Sequence, residues 1–425
     1  VSGRARRSRA GGARKLPARY TDDPPSEALA DTLRLHRRGA HERALARYAD
    51  ALRTAPDALD AWLNRGALLC LRGHAREGAQ CLRRALAHPR ADARAHRDAG
   101  IALGSIGHSD ESLRALEHAV ALDPALVGAR LALVRALGEH GLPERAREES
   151  LRVVERAPDE PSAWTERHRA LFDPANPEPA LACAERAVAL APNDPDAHVL
   201  LAGARALAGR SDLPPCDPLG PEGLLDPRIV DALRTALAMV REGATPFAYK
   251  RALIEHAIDA RTHDGPVLEF GVRHGISLRV LAARCARVHG FDSFEGLPAP
   301  WQGRGTGAFS TAGEPPEDLP PNVTLHPGWF EQTALEFVGT MTEPPSLIHI
   351  DSDLYESARS ALTALGPRIE PGCVLLFDEY LGNASWREDE FRAAREAALA
   401  WGWRLEPLAV SWITGQAALR VHRAG

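Results

Sequence analysis

The chain lacks most of the features that mark a secreted, membrane-bound or nucleic-acid-binding protein. Its six cysteines, Cys70, Cys81, Cys183, Cys216, Cys285 and Cys373, are scattered, with no CxxC pair and no disulfide-like framework. No apolar run is long enough to span a bilayer. No apolar core accompanies the basic N-terminal stretch, so it does not read as a secretory signal. The net charge of −5 is mild and implies no global attraction to nucleic acid or to an acidic membrane. Neither a Gly-x-Gly-x-x-Gly pattern nor a Walker lysine is present, which argues against NAD and ATP as ligands. A cytoplasmic protein that works without nucleic acid or membrane is the expectation.

What is present divides in two. A length of 425 residues predicts two or three domains. Residues 1–25 include Arg4, Arg6, Arg7, Arg9, Arg14, Lys15 and Arg19 and read as a disordered basic arm. From 26 to 210 the chain repeats itself: Pro56, Pro89, Pro124, Pro158 and Pro192 are spaced 33, 35, 34 and 34 apart, and Gly39, Gly73, Gly107 and Gly141 recur every 34. Small residues follow five after each glycine, at Ala44, Gly78, Ser112 and Ala146, where two antiparallel helices would cross. The pattern resembles the tetratricopeptide repeat, an all-α solenoid. Asp173-Pro174-Ala175-Asn176-Pro177 replaces the usual turn in the fifth unit, so distortion is expected there. Such a solenoid presents a concave surface for a protein or peptide partner, or serves as a wall packed on the rest of the chain. Residues 211–223 are rich in Pro and Gly and read as a linker, so a fragment starting near Gly220 is expected to fold alone.

Residues 224–425 carry a different signal. Two helical patterns, about Pro227–Glu242 and Phe247–Thr262, precede an apolar run, VLEFGVRHG, that ends in an acid and a Gly-x-x-x-Gly turn. Three later apolar runs each close on an acid: VHGFD at Asp292, LIHID at Asp351 and VLLFDE at Asp378-Glu379. Acids at the carboxyl ends of parallel strands gather on one sheet edge, where doubly wound α/β folds bind ligands. Gly271 and Gly275, after Glu269, allow a close backbone approach to a cofactor. Asp292, 23 residues after Glu269, can accept from both hydroxyls of a ribose. His274, His326 and His349 are candidate bases. Pro298–Asn322 is a long irregular segment expected to cover the acceptor, with Trp301 and Phe309 as apolar contacts; Trp329 and Phe330 are candidates to flank an adenine.

Taken in order, Gly271-Val272-Arg273-His274-Gly275, Phe291-Asp292-Ser293-Phe294-Glu295-Gly296-Leu297-Pro298, Pro327-Gly328-Trp329-Phe330, Ile350-Asp351-Ser352-Asp353-Leu354-Tyr355-Glu356-Ser357 and Phe377-Asp378-Glu379-Tyr380 resemble the macrocin O-methyltransferase family. The resemblance spans about Pro246 to Trp403. It implies a Rossmann-like class I domain that binds S-adenosylmethionine through Glu269, Gly271, Gly275, Asp292 and Ser293 and methylates sugar hydroxyls. It also implies a metal held by Asp351, Asp378 and Glu379, with Asp351 doubling as proton acceptor. An all-oxygen donor set suits magnesium, although the family often has Asp where this chain has Glu379. Asp353 and Glu356 read as helix-terminal charges. The expected acceptor is a small glycoside or another vicinal diol. Two other readings compete: a repeat-based adaptor with an inactive α/β domain, and a methyltransferase acting on catechol-like phenols.

Overall fold

The computed structural model describes residues 27–210 and 224–423; the expected basic arm (1–25) and linker (211–223) lie outside the described residues. The N-terminal part is a stack of helix pairs: α1 (Glu27–Arg37) with α2 (His41–Thr54), α3 (Leu59–Leu71) with α4 (Ala75–Leu86), and α5 (Ala93–Ser105) with α6 (Ser109–Leu122). These are followed by α7 (Val127–Glu139) with α8 (Pro143–Arg156), α9 (Pro161–Ala170) with α10 (Glu178–Leu190), and then α11 (Pro195–Leu207). The small residues of the repeat are interior: Ala44, Gly78, Ser112 and Ala146 are all buried. A Cβ on Gly78 would press on Cys70 Sγ and on the Gly66 carbonyl, so only a residue without one lets α3 and α4 approach so closely.

The proline phase has a hydrogen-bonding reason. In each of four units the proline carbonyl meets a side chain six residues on, inside the next helix. Trp62 Nε1 donates to Pro56 O at 2.8 Å, Arg130 Nε to Pro124 O at 3.0 Å and Trp164 Nε1 to Pro158 O at 2.8 Å. His198 Nε2 lies 2.9 Å from Pro192 O. Each bond satisfies a carbonyl that the turn leaves without a partner and fixes where the next helix begins. The fifth unit does depart from the others: α9 has only 10 residues and is followed by an irregular turn through Pro177.

The C-terminal part is an α/β domain. It comprises α12 (Pro227–Arg241), β1 (Thr245–Pro246), α13 (Lys250–Asp259), β2 (Val267–Phe270), α14 (Ile276–Arg284), β3 (Val288–Asp292) and β4 (Val323–Pro327). After these come α15 (Phe330–Thr340), β5 (Leu347–Ile350), α16 (Tyr355–Leu365), β6 (Val374–Phe377), α17 (Glu390–Trp401), β7 (Trp403–Val410) and β8 (Ala417–Arg423). The eight strands lie in the order β1-β7-β8-β6-β5-β2-β3-β4. Neighbours from β6 through β5, β2 and β3 to β4 run parallel, and β8 is antiparallel to both β6 and β7. The chain order reverses between β2 and β5, which opens a crevice at their carboxyl ends. β2, β5 and β6 are buried along their whole length, as a sheet covered on both faces requires.

One expected element is shorter than its pattern. The helix read over Phe247–Thr262 begins only at Lys250, because Thr245–Pro246 pairs with Ala409–Val410 and Phe247 N donates to Val410 O. Proline cannot donate to a ladder but is tolerated on an edge strand, which is where β1 lies.

The two parts are not beads on a string. Ala202 of α11 belongs to the same apolar core as Leu233, Phe377 and Trp412. Phe172 meets the Trp412 ring edge-on at 5.8 Å, and Gly203 lies too close to that ring to carry a Cβ. Nearer the start of the stack, Gly73 abuts the Ser310 backbone and Arg76 pairs with Glu317. A fragment starting at Gly220 would bare Trp412 and its neighbours, so it should be less stable alone than within the full chain. Its melting temperature should fall well below that of the full chain, with dye binding that reports exposed apolar surface. Equal melting temperatures for fragment and full chain would contradict the shared core.

Candidate active site

The sheet register brings the acids together. Phe270 pairs with Ile350, and Ile350 with Phe377. One residue further on, Asp351 N donates to Phe270 O at 2.8 Å and Asp378 N to Ile350 O at 2.9 Å. Asp351 therefore stands between Gly271 and Asp378 at the mouth of the crevice. Gly271, at φ 99°, abuts the Asp351 carbonyl so closely that any side chain would collide with it.

Lys250 lies between the two carboxylates. Its Nζ is 3.3 Å from Asp351 Oδ2 and 2.5 Å from Asp378 Oδ1. The chain has only two lysines, Lys15 and Lys250, among 52 basic residues. A compact ammonium fits a gap between two carboxylates where the planar fork of arginine does not. Burial opposes the lysine's charge, but Asp351 and Asp378 outweigh it and hold its pKa well above the usual value. For Asp378, burial pushes upward, yet Lys250 and His349 bring the carboxyl below the ordinary range. Asp378 Oδ1 also accepts from Gln416 Nε2 at 2.6 Å. Asp351 rises to about 6, mainly through burial and the charge of Asp378. Asp353, in the left-handed region at φ 62°, faces the same cavity, and burial with the nearby Asp351 lifts it to about 8.

Several expected site residues stand elsewhere. Glu269 is fully buried beneath the crevice, and its Oε1 is 2.9 Å from His349 Nδ1, so it supports the site from below. His349 is fully buried as well. Burial lowers its pKa, but the carboxylates of Asp378 and Glu269 outweigh that effect and raise it to about 10, so it is no free base. Burial, with Arg273 and Arg279, drives His274 down to about 3, too weak to take a proton. His326 stacks on Phe291 at 4.5 Å, away from the acids. Glu379 lines the cavity, but burial and the surrounding acids raise it well above its usual value, and its backbone N–H is held by Glu390. The group whose donor atoms lie within 4.8 Å of one another is His349, Asp351 and Asp378. Among the described residues Glu379 is not in that group, whereas His349, which was not an expected ligand, is. His349 Nε2 makes no hydrogen bond but faces Asp378 Oδ1 at 3.6 Å, and the Lys250 ammonium lies between the two carboxylates, so a metal fits here only where it displaces Lys250 and meets a neutral His349.

Asp292 organises the neighbouring loop. Its Oδ2 accepts the backbone N–H groups of Val272 at 2.8 Å and Arg273 at 2.7 Å, and its Oδ1 that of Phe294 at 2.7 Å. Gly275, at φ 69°, is the N-cap of α14, so the amide end of that helix opens on the cavity. Ser293 lines the cavity too, its hydroxyl accepting from Glu295 N at 3.2 Å.

The cavity measures about 1710 Å³, and its walls come from both halves of the chain. Arg97, His108, Arg135 and His140 contribute from the repeats, and Trp301, Phe309, Trp329 and Trp412 from the α/β domain. The segment 298–322 bridges the two: Trp301 Nε1 donates to Asp389 Oδ2 at 3.1 Å, Gln302 Nε2 to Asn383 Oδ1 at 3.2 Å, and Ser310 abuts Gly73. Phe309 lies under the guanidinium groups of Arg273 and Arg304, at 5.1 and 4.6 Å. Phe330 lines the cavity as well and meets Phe270 edge-on at 5.2 Å.

Residues 268–380, which include Asp292, Asp351, Asp353, Asp378 and Glu379, match the family described as methyltransferase domain. That segment is a methyltransferase domain. A curated relative, the 8-demethyl-8-(2,3-dimethoxy-alpha-L-rhamnosyl)-tetracenomycin-C 4'-O-methyltransferase of Streptomyces olivaceus, is 32% identical over 151 residues. The match covers 28% of this chain and 54% of that enzyme, so the chain spans about half the length of the relative. Among solved structures, YrrB, a TPR protein with an unusual peptide-binding site, is 22% identical over 42% of this chain and 90% of its own, with a TM-score of 0.36. The calicheamicin methyltransferase CalS11 is 23% identical over 51% of this chain and 89% of its own, with a TM-score of 0.30.

Sequence reasoning missed Lys250, Asp353 and Gln416. The scarcity of lysine was the one signal that pointed to Lys250. As the brace of the methyltransferase domain's glycine loop, Asp292 is open to a direct test. Asp292→Ala should weaken S-adenosylmethionine binding by about 1.5–3 kcal/mol, the worth of charge-assisted hydrogen bonds. Calorimetry checks this, and unchanged affinity would remove the cofactor from this loop.

Proposed function

We propose that the chain is an S-adenosylmethionine-dependent O-methyltransferase acting on a hydroxyl of a sugar or another vicinal diol, with magnesium assistance. The observation that carries the reading is the meeting of Asp351, Asp353 and Asp378 beside the Gly271 loop, in one cavity of a methyltransferase domain. The relative that modifies a rhamnosylated natural product supports a glycoside as acceptor. In this reading residues 224–425 form the catalytic unit and residues 26–210 its repeat wall.

The roles follow from the positions. Gly271, Gly275, Asp292 and Ser293 surround the place for the cofactor: the glycines admit it closely, the α14 amide end suits its carboxylate, and Asp292 suits its ribose. S-adenosylmethionine supplies an electrophilic methyl group. An alcohol is a poor nucleophile until its proton is drawn away. Asp351, the acid singled out by the family resemblance, is the proton acceptor in this reading, with Lys250 beside it at 3.3 Å, whereas Asp353 faces the cavity with its carboxyl raised to about 8 and so holds its own proton more firmly. Asp351 and Asp378, with Glu379 as the expected third ligand, would hold a magnesium ion in place of the Lys250 ammonium, and its contribution is to polarise the acceptor oxygen and make its proton more acidic. Trp301, Phe309 and Trp329 shield the reacting atoms from water. The adaptor reading is disfavoured because the repeats press on the cavity and do not stand free.

The test is transfer of a labelled methyl group to a panel of glycosides and catechols, with and without chelator. Asp351→Asn and Asp378→Asn should each lower turnover by about 10²-fold or more, the usual worth of a positioned proton-transfer group, and leave cofactor affinity unchanged. Glu379→Gln should be mild, and chelation should abolish transfer. Full activity in chelator rules out the metal, and a catechol preferred over every sugar overturns the acceptor class.

A further inference from the structure

Lys250 is the first residue of α13, and the repeats seat that turn. The N-cap residue, Tyr249, provides no side-chain cap. An acceptor arrives instead from the end of α7: Glu139 Oε2 accepts the Arg251 backbone N–H at 3.4 Å and faces that of Lys250. One residue earlier, Gly138 lies directly beneath the Tyr249 ring, where an added Cβ would run into Cε1 and Cζ. Tyr249 is only 8% exposed, so the ring has little room to retreat. A glycine in a helix costs about 1 kcal/mol relative to alanine, and this close approach is the reason for one at position 138. With residues 249–251 held from the repeat side, the Lys250 side chain reaches Asp351 and Asp378.

We propose that Gly138 and Glu139 are positioning residues for Lys250, which makes the fourth repeat a working part of the catalytic centre. The proposal rests on the methyl-transfer reading for the service Lys250 performs. Lys250 neutralises Asp378 and orients Asp351, the proton acceptor. Gly138→Ala favours the helix in which it sits but forces the Tyr249 ring to shift, so it perturbs the turn that carries Lys250.

The presence of just two lysines makes a direct readout possible. Full-length protein labelled with 13C-lysine should give two side-chain signals, and Lys250→Arg assigns one of them. In Gly138→Ala and in Glu139→Ala the Lys250 signal should move toward its free-lysine position. Turnover should fall about tenfold, the equivalent of a lost helix cap, while S-adenosylmethionine affinity stays unchanged. Glu139→Gln, which keeps an acceptor, should retain most of the activity. In a Tyr249→Leu background, Gly138→Ala should add little. An unmoved Lys250 signal and unchanged turnover in both alanine variants overturn the proposal, and if Gly138→Ala fails to fold, Glu139→Ala decides alone. If the unaltered protein methylates no acceptor, the methyl-transfer reading fails, and the Lys250 signal still decides the positioning.

Discussion

The bridge from Lys250 to Asp351 and Asp378 is the interaction on which the rest of the site depends. Two carboxylates so close, in a cavity only partly open to water, repel each other unless a cation stands between them. The sheet supplies the acids, because the register of β2, β5 and β6 carries each strand one residue past its ladder at the same level. The cation comes from α13, which lies outside that ladder. Nothing in the strands themselves could bring a lysine there. The position of α13 is therefore as much a part of the chemistry as the strand ends are.

That dependence explains why the repeats are built against the α/β domain. Close approach recurs along the stack, for example at Gly73 against Ser310, Gly107 against the His274 carbonyl, Gly138 against Tyr249 and Gly203 against Trp412. Each contact touches a different working part: the covering segment, the cofactor loop, the lysine turn and the far wall of the cavity. A solenoid is held by nearest-neighbour contacts, so its curvature is a sum of small rotations and can be matched to a second surface. Here that surface is the mouth of the crevice.

Much of this was legible in the sequence, for identifiable reasons. The 34-residue phase could be read because four of the units repeat the same local bond between a proline carbonyl and a side chain six residues on. The acids at Asp292, Asp351 and Asp378 could be read because period-two strands end visibly. Glu269 lies below the crevice for a reason contained in that same period. It sits two residues before Gly271, as His349 sits two before Asp351, so the pair lies one layer deeper in the sheet. Lys250 and Gln416 were not legible as site residues, since they meet Asp351 and Asp378 across 101 and 38 residues of chain, through packing that no local pattern encodes. The positive φ of Asp353, which turns it toward the cavity and away from a helix-terminal role, is likewise set by the tertiary fold.

The most direct measurement is a crystal structure of the full chain with S-adenosylhomocysteine. The account predicts the ribose at Asp292, the amino-acid end near Gly275 and the sulfur facing Asp351 and Asp353, with Lys250 still bridging Asp351 and Asp378 or displaced only by a bound metal. A product molecule bound outside this cavity, or a sulfur turned away from the acids, would contradict it.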